Sequence, residues 1–95
     1  MTITKRVTFI AKPDGIVQMK ALLTAMVEPS KAEEGCLFYE IVQYKERPEK
    51  FMAVETWRDE EALEGHKTSA HYKVYKSSYE QYCLDKYTDE LEVLG

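Results

Sequence analysis

The chain lacks any apolar run near the ~18 residues that a membrane-spanning helix requires. Its opening, Met1-Thr2-Ile3-Thr4-Lys5-Arg6, has no apolar core of the kind a signal peptide carries. It has no basic block: 13 Lys and Arg stand against 17 Asp and Glu, a net charge of -4, so nucleic acid is not an expected partner. There are two cysteines, Cys36 and Cys83, in no metal-like spacing. Without a secretion signal they are expected to be reduced thiols of a cytoplasmic protein. The two histidines, His66 and His71, fall outside the HxxxH and HxH spacings, so no metal cluster and no bound metal is expected. No glycine-rich loop suited to phosphate is present, and there are no repeats or low-complexity segments. Ninety-five residues suffice for one domain, 1-95, with a modest core, and not for two.

What is present reads as alternating strands and helices. Ile3 to Ala11 has period two, with Ile3, Lys5, Val7, Phe9 and Ala11 on one face and Thr4, Arg6, Thr8 and Ile10 on the other. Pro13-Asp14-Gly15 breaks that strand. Ile16, Met19, Leu22, Leu23, Met26 and Val27 then recur at helical spacing. Pro29 is expected to kink or end the helix, with one more turn through Glu33-Glu34 before a stop at Gly35. Cys36 to Tyr44 is a strand rich in β-branched and aromatic residues. Lys45 to Lys50 is a charged turn, and Phe51 to Trp57 is expected to return antiparallel. A last long helix is expected from Ser69 to Cys83, followed by a weak acidic strand from Tyr87 to Leu94.

The order predicts a βαββαβ, ferredoxin-like α+β fold: a four-stranded antiparallel sheet with helices on one face. Met52 and Val54 point to the other face. A single sheet does not leave an apolar face in water, so a homodimer packing sheet on sheet is expected.

Chemistry concentrates where the third strand meets the helices. Phe51, Ala53, Glu55 and Trp57 share one face, and Trp57 is the only tryptophan. Asp59 is suited to cap a short helix, with Glu60 and Glu61 in its first turn and Gly65 at its end. Thr68 or Ser69 is suited to cap the next helix, which carries His71 in its first turn.

Each of these residues has a structural and a functional reading. Trp57 is either core or a flat wall for an aromatic ligand. Glu55 on a half-buried face must be paired or protonated. It is either a partner to Arg6 or a histidine, or a general base with a raised pKa. His66 either caps a helix or contacts substrate. His71, at the positive end of a helix dipole, is suited to stay neutral and accept a substrate proton. Tyr75, one turn on, is the tyrosine best placed to face a pocket.

Glu33-Glu34-Gly35-Cys36 with Tyr39, then Glu55-x-Trp57, then Ala62-Leu63-x-x-His66, then Ser69-x-His71, resembles the motif order of the antibiotic biosynthesis monooxygenase superfamily, nearest the quinol monooxygenase branch. The resemblance implies a dimeric α+β barrel with one pocket per subunit between sheet and helices. It implies a small aromatic or quinol substrate oxidised by O2 without metal, flavin or haem. The implied catalytic residues are His71 and Glu55, with Trp57, His66, Tyr75 and Arg6 binding substrate. Arg6 stands near the place of an Asn used by the haem-degrading branch. This chain contains no Asn, so haem degradation is not expected. A non-catalytic dimeric binding or stress-associated protein, and an isomerase of a small carbonyl compound, are the alternatives that need the same pocket.

Overall fold

The computed structural model describes residues 1-95. Its elements are β1 (Ile3–Ala11), α1 (Ile16–Thr24), α2 (Val27–Lys31), β2 (Cys36–Gln43), β3 (Lys50–Trp57), α3 (Glu60–Lys67), α4 (Ala70–Ser78), a 3-10 turn (Tyr79–Tyr82) and β4 (Cys83–Leu91). The strands form one four-stranded antiparallel sheet in the order β2-β3-β1-β4. With both helical segments on one face, this is the ferredoxin-like βαββαβ architecture that the pattern predicts.

Period-two alternation sets the faces. Phe51, Ala53, Glu55 and Trp57 of β3 are buried under the helices, while Met52, Val54 and Thr56 are half-buried on the outer face. Register places Lys5 of β1 and Tyr39 of β2 on either side of Glu55. Lys86 and Thr88 of β4 lie on the same inner face, paired with Phe9 and Val7. The core joins these strands to the helices through Met19, Leu23, Met26, Leu63, Tyr75 and Tyr79.

Several boundaries differ from expectation. The first helix breaks at Ala25-Met26 and restarts at Val27, and Pro29 sits in the first turn of α2 rather than ending a helix. There the missing N–H has no intrahelical acceptor to lose. Gly65 does not end α3, which runs on to Lys67 and so carries His66 inside its last turn. The helix is set instead by its start, where the Asp59 side chain accepts from the Ala62 N–H at 2.9 Å. Ser69 caps α4 as expected, accepting from the Tyr72 N–H. The helical stretch loosens at Tyr79, and β4 starts at Cys83 rather than Tyr87.

Gly35 matters through close approach. A Cβ there would lie 2.3 Å from the Ala62 Cβ, and the Gly35 carbonyl accepts from the Arg58 N–H at 2.8 Å. The segment before β2 is thus pressed against the start of α3, which brings Glu33 beside the histidines.

Candidate functional site

A cavity opens between the inner sheet face and the helices. It holds about 480 Å3 of space outside protein atoms, its mouth included. It is a narrow slot rather than an open chamber. Its polar wall includes Glu55, His66, Tyr39, Tyr72, Lys5 and Lys86, and Val7, Phe9, Leu63 and Tyr75 are among its apolar wall.

Glu55 is 5% exposed. Its Oε1 accepts from Trp57 Nε1 at 2.9 Å, two residues along the same face of β3. Its other oxygen takes no hydrogen bond within the chain. A buried carboxylate with one committed and one free oxygen in a cavity wall is available to accept from a ligand. The partner expected for it was Arg6 or a histidine, and the structure supplies the indole instead.

His66 is 2% exposed and stacks on Trp57, with ring centroids 4.4 Å apart and planes 34° from parallel. Its Nδ1 lies 2.6 Å from Glu33 Oε2. The same oxygen lies 2.7 Å from His71 Nε2, which is also 3.1 Å from the Ser69 hydroxyl. The two histidines, separated in sequence by a helix end and a cap, therefore converge on one carboxylate oxygen. The three donor atoms lie within 4.8 Å of one another, which makes Glu33, His66 and His71 a candidate cation cluster. The O–N separations are hydrogen-bond lengths.

Aromatic rings line the slot. Tyr75 packs edge-on to Phe9 at 5.9 Å and stacks on Tyr79 at 4.9 Å. Burial holds the Tyr39 phenol well above its usual range, with the Glu55 charge adding to it, and burial does the same for Tyr75. Both therefore stay hydrogen-bond donors at any ordinary pH. Lys86 is half-buried with its ammonium over the rings of Tyr79, Tyr75 and Phe9 at 4.7, 5.4 and 5.9 Å, and it forms no ion pair within the chain. Burial pulls its pKa down, with Lys76 and Lys5 contributing.

The family profile of the antibiotic biosynthesis monooxygenases matches residues 2–77. The chain belongs to the antibiotic biosynthesis monooxygenase family. It is 35% identical over 69 residues to "Putative monooxygenase Rv0793" of Mycobacterium tuberculosis, covering 73% of this chain and 67% of that protein. The solved structure of Rv0793 superposes with a TM-score of 0.92 at 26% identity, over 100% of this chain and 97% of that one. The crystal structure of PA3566 from Pseudomonas aeruginosa superposes with a TM-score of 0.94 at 32% identity, over 99% of this chain and 95% of that one. The family and its named relatives support monooxygenase-like chemistry in this fold. No helix of the chain is long and apolar enough to cross a membrane.

Within this monooxygenase-family fold, the expected site residues separate into two groups. Glu55, His66 and Tyr75 line the cavity. Three others, His71, Trp57 and Arg6, do not. His71 lies behind His66, its Nε2 turned to Glu33 and Ser69, while Tyr72 and Tyr75 of the same helix face the slot. Trp57 is fully buried beneath His66 and reaches the cavity only through Glu55. Arg6 points to the outer sheet face, where it pairs with Asp89 at 2.8 Å, because its strand alternates and its neighbour Lys5 takes the inner face.

Sequence reasoning missed Lys5, Tyr39, Tyr72 and Lys86 as wall residues. Tyr39 and Lys5 were readable from register once Glu55 was placed, since all three share one cross-strand row.

Proposed function

We propose that this protein is a monooxygenase of small hydroxylated aromatic compounds, of the quinol class, acting as a homodimer. The observation that carries the reading is the slot itself. It combines a buried carboxylate with one free oxygen and a buried imidazole in the same wall. Aromatic rings and an ammonium unpaired within the chain surround them.

The chemistry needs a proton acceptor, a dry slot and a fixed positive charge. A phenol that gives its proton to the wall becomes an electron-rich phenolate, and Lys86 offsets the charge that develops. The phenolate passes electrons to O2. For a hydroquinone the balance closes without another reductant: one oxygen atom enters the ring, the other leaves as water, and the product is a hydroxyquinone. Tyr39 and Tyr72 are placed to donate to substrate oxygens, and Tyr75 packs its ring.

The dimer reading rests on the outer sheet face. Register places Phe38, Val42, Val54, Met52, Tyr87 and Leu91 there, with Phe38 46% and Tyr87 44% exposed. Such a patch is suited to a second copy packed sheet to sheet.

The test is O2 uptake by purified protein across a panel of hydroquinones and polyphenols, with ligand-induced thermal shifts as the first screen. Substrate-dependent uptake that is lowered in Glu55→Gln, which takes a negative charge out of the wall while keeping its shape, is the expected result. Binding without uptake for every compound that shifts the melting temperature would replace this reading with a non-catalytic binding role.

A further inference from the structure

Glu33 lies in the turn between α2 and β2, and it is the only carboxylate in contact with either histidine. An ionised carboxylate accepts hydrogen bonds and donates none. Both ring nitrogens that face Glu33 Oε2 must therefore carry protons. For a neutral His66 this fixes the tautomer: the proton is on Nδ1, 2.6 Å from Glu33, and Nε2 carries a bare lone pair. The ring lines the cavity, and Nε2 has no partner within the chain. Trp57 backs one face of the ring and Tyr72 meets it edge-on at 5.2 Å, so the imidazole has little freedom to turn.

We propose that His66, not His71, is the proton acceptor of the cavity. Glu33 acts as the positioning residue that fixes its tautomer and neutralises the imidazolium it becomes. His71 is the second donor to the same Glu33 oxygen and holds that carboxylate in place. In the step, the substrate O–H bond breaks and an Nε2–H bond forms. The electron pair stays on the substrate oxygen. The positive charge on His66 faces the negative charge of Glu33 across a short hydrogen bond. The Glu33 side chain is 19% exposed and that of His71 20%, so the far end of the chain of hydrogen bonds meets water, where the proton can leave.

This inference rests on the oxidation reading only for what the proton is taken from. The arrangement of His66, Glu33 and His71 can be tested without turnover. Full-length, 15N-labelled protein is observed by long-range 1H–15N correlation of the histidine rings, with His71→Gln assigning the two sets of signals. The expected spectrum has neutral His66 protonated on Nδ1 and bare on Nε2, with a slowly exchanging, strongly downfield Nδ1 proton. In Glu33→Gln that proton resonance is lost and the ring proton distributes over both nitrogens, while the remaining spectrum stays folded. Should Glu33→Gln fail to fold, the wild-type tautomer alone decides. Neutral His66 carrying its proton on Nε2 would overturn the proposal. So would one equivalent of zinc shifting both rings together at neutral pH, because the cluster would then be a cation site.

Once a substrate is in hand, His66→Gln is expected to lower turnover about 100-fold or more, and His71→Gln by less. Quinol oxidation with His66 in the Nε2–H form would remove this proposal and leave the oxidation reading standing. The expected tautomer with no oxidised substrate would do the reverse.

Discussion

Trp57→Phe gives the sharpest test of what the tryptophan does. The indole is fully buried, and its N–H is the only donor to Glu55 within the chain, at 2.9 Å. Replacing it removes part of a buried ring and orphans a carboxylate that is 5% exposed. The lost packing costs about 1–2 kcal/mol, since a full Trp→Ala truncation costs roughly 3–5. Leaving the buried charged acceptor without its donor costs about 2 kcal/mol more. The sum, about 3–4 kcal/mol, corresponds to a melting temperature lower by roughly 12 °C or more in a domain of this size. Glu55→Gln alone keeps an acceptor oxygen for the indole and costs under about 1 kcal/mol. The double variant then loses packing but leaves no charge stranded, so it is more stable than the sum of the singles implies, by about 1–2 kcal/mol. Urea midpoints at one fixed protein concentration supply all four corners of the cycle. Additivity within about 0.5 kcal/mol would mean that the indole does not hold the carboxylate, and the positioning role of Trp57 would be refuted.

Three further outcomes follow from named contacts. Gly35→Ala places a Cβ 2.3 Å from that of Ala62 and is expected to lose about 1–3 kcal/mol of stability by calorimetry, with Ala62→Gly restoring most of it. Asp59 is held below its ordinary carboxylate range by the Ala62 N–H that it caps, so its contribution is present above the unfolded value of 3.8 and is lost as pH falls through the lower folded value. Asp59→Asn keeps an acceptor at the cap and is expected to lose less stability than wild type between about pH 5 and pH 3; equal losses would contradict the cap as the cause. Val54→Asp puts a charge on the outer sheet face and is expected to turn a sedimenting dimer into a monomer, whereas a wild-type monomer at micromolar concentration would remove the sheet-to-sheet interface.

The fold was legible wherever burial alternates cleanly. The face of Phe51, Ala53, Glu55 and Trp57 follows from period two alone, because one side is core and the other is not. β4 was harder. It is an edge strand whose inner positions are Lys86, Thr88 and Glu90, so it has no apolar alternation to read before Tyr87. Gly65 misled because a glycine near a helix end resembles a stop. Here it is exposed with open space around it, and the burial of His66 one residue later carries the helix onward.

The site was legible only in part. Glu55, His66 and Tyr75 reach the cavity wall because each lies on the buried stripe of its own element. The meeting of His66 with His71 was not legible, since it depends on how the turn at Thr68-Ser69 directs α4 and on Glu33 arriving from another part of the chain. A helix dipole argument ranked His71 first on local grounds. In the structure His71 stands outside the cavity wall, with its Nε2 on Glu33 and Ser69.

The central claim is that the slot oxidises a hydroxylated aromatic with O2 itself, and isotope labelling tests it most directly. The purified protein is supplied with a hydroquinone that it consumes, under 18O2 in ordinary water, and the product is weighed. One 18O atom in a hydroxyquinone product and the other in water is the predicted result. Unlabelled quinone with all of the 18O in hydrogen peroxide would contradict it, because the protein would then be removing electrons without inserting oxygen.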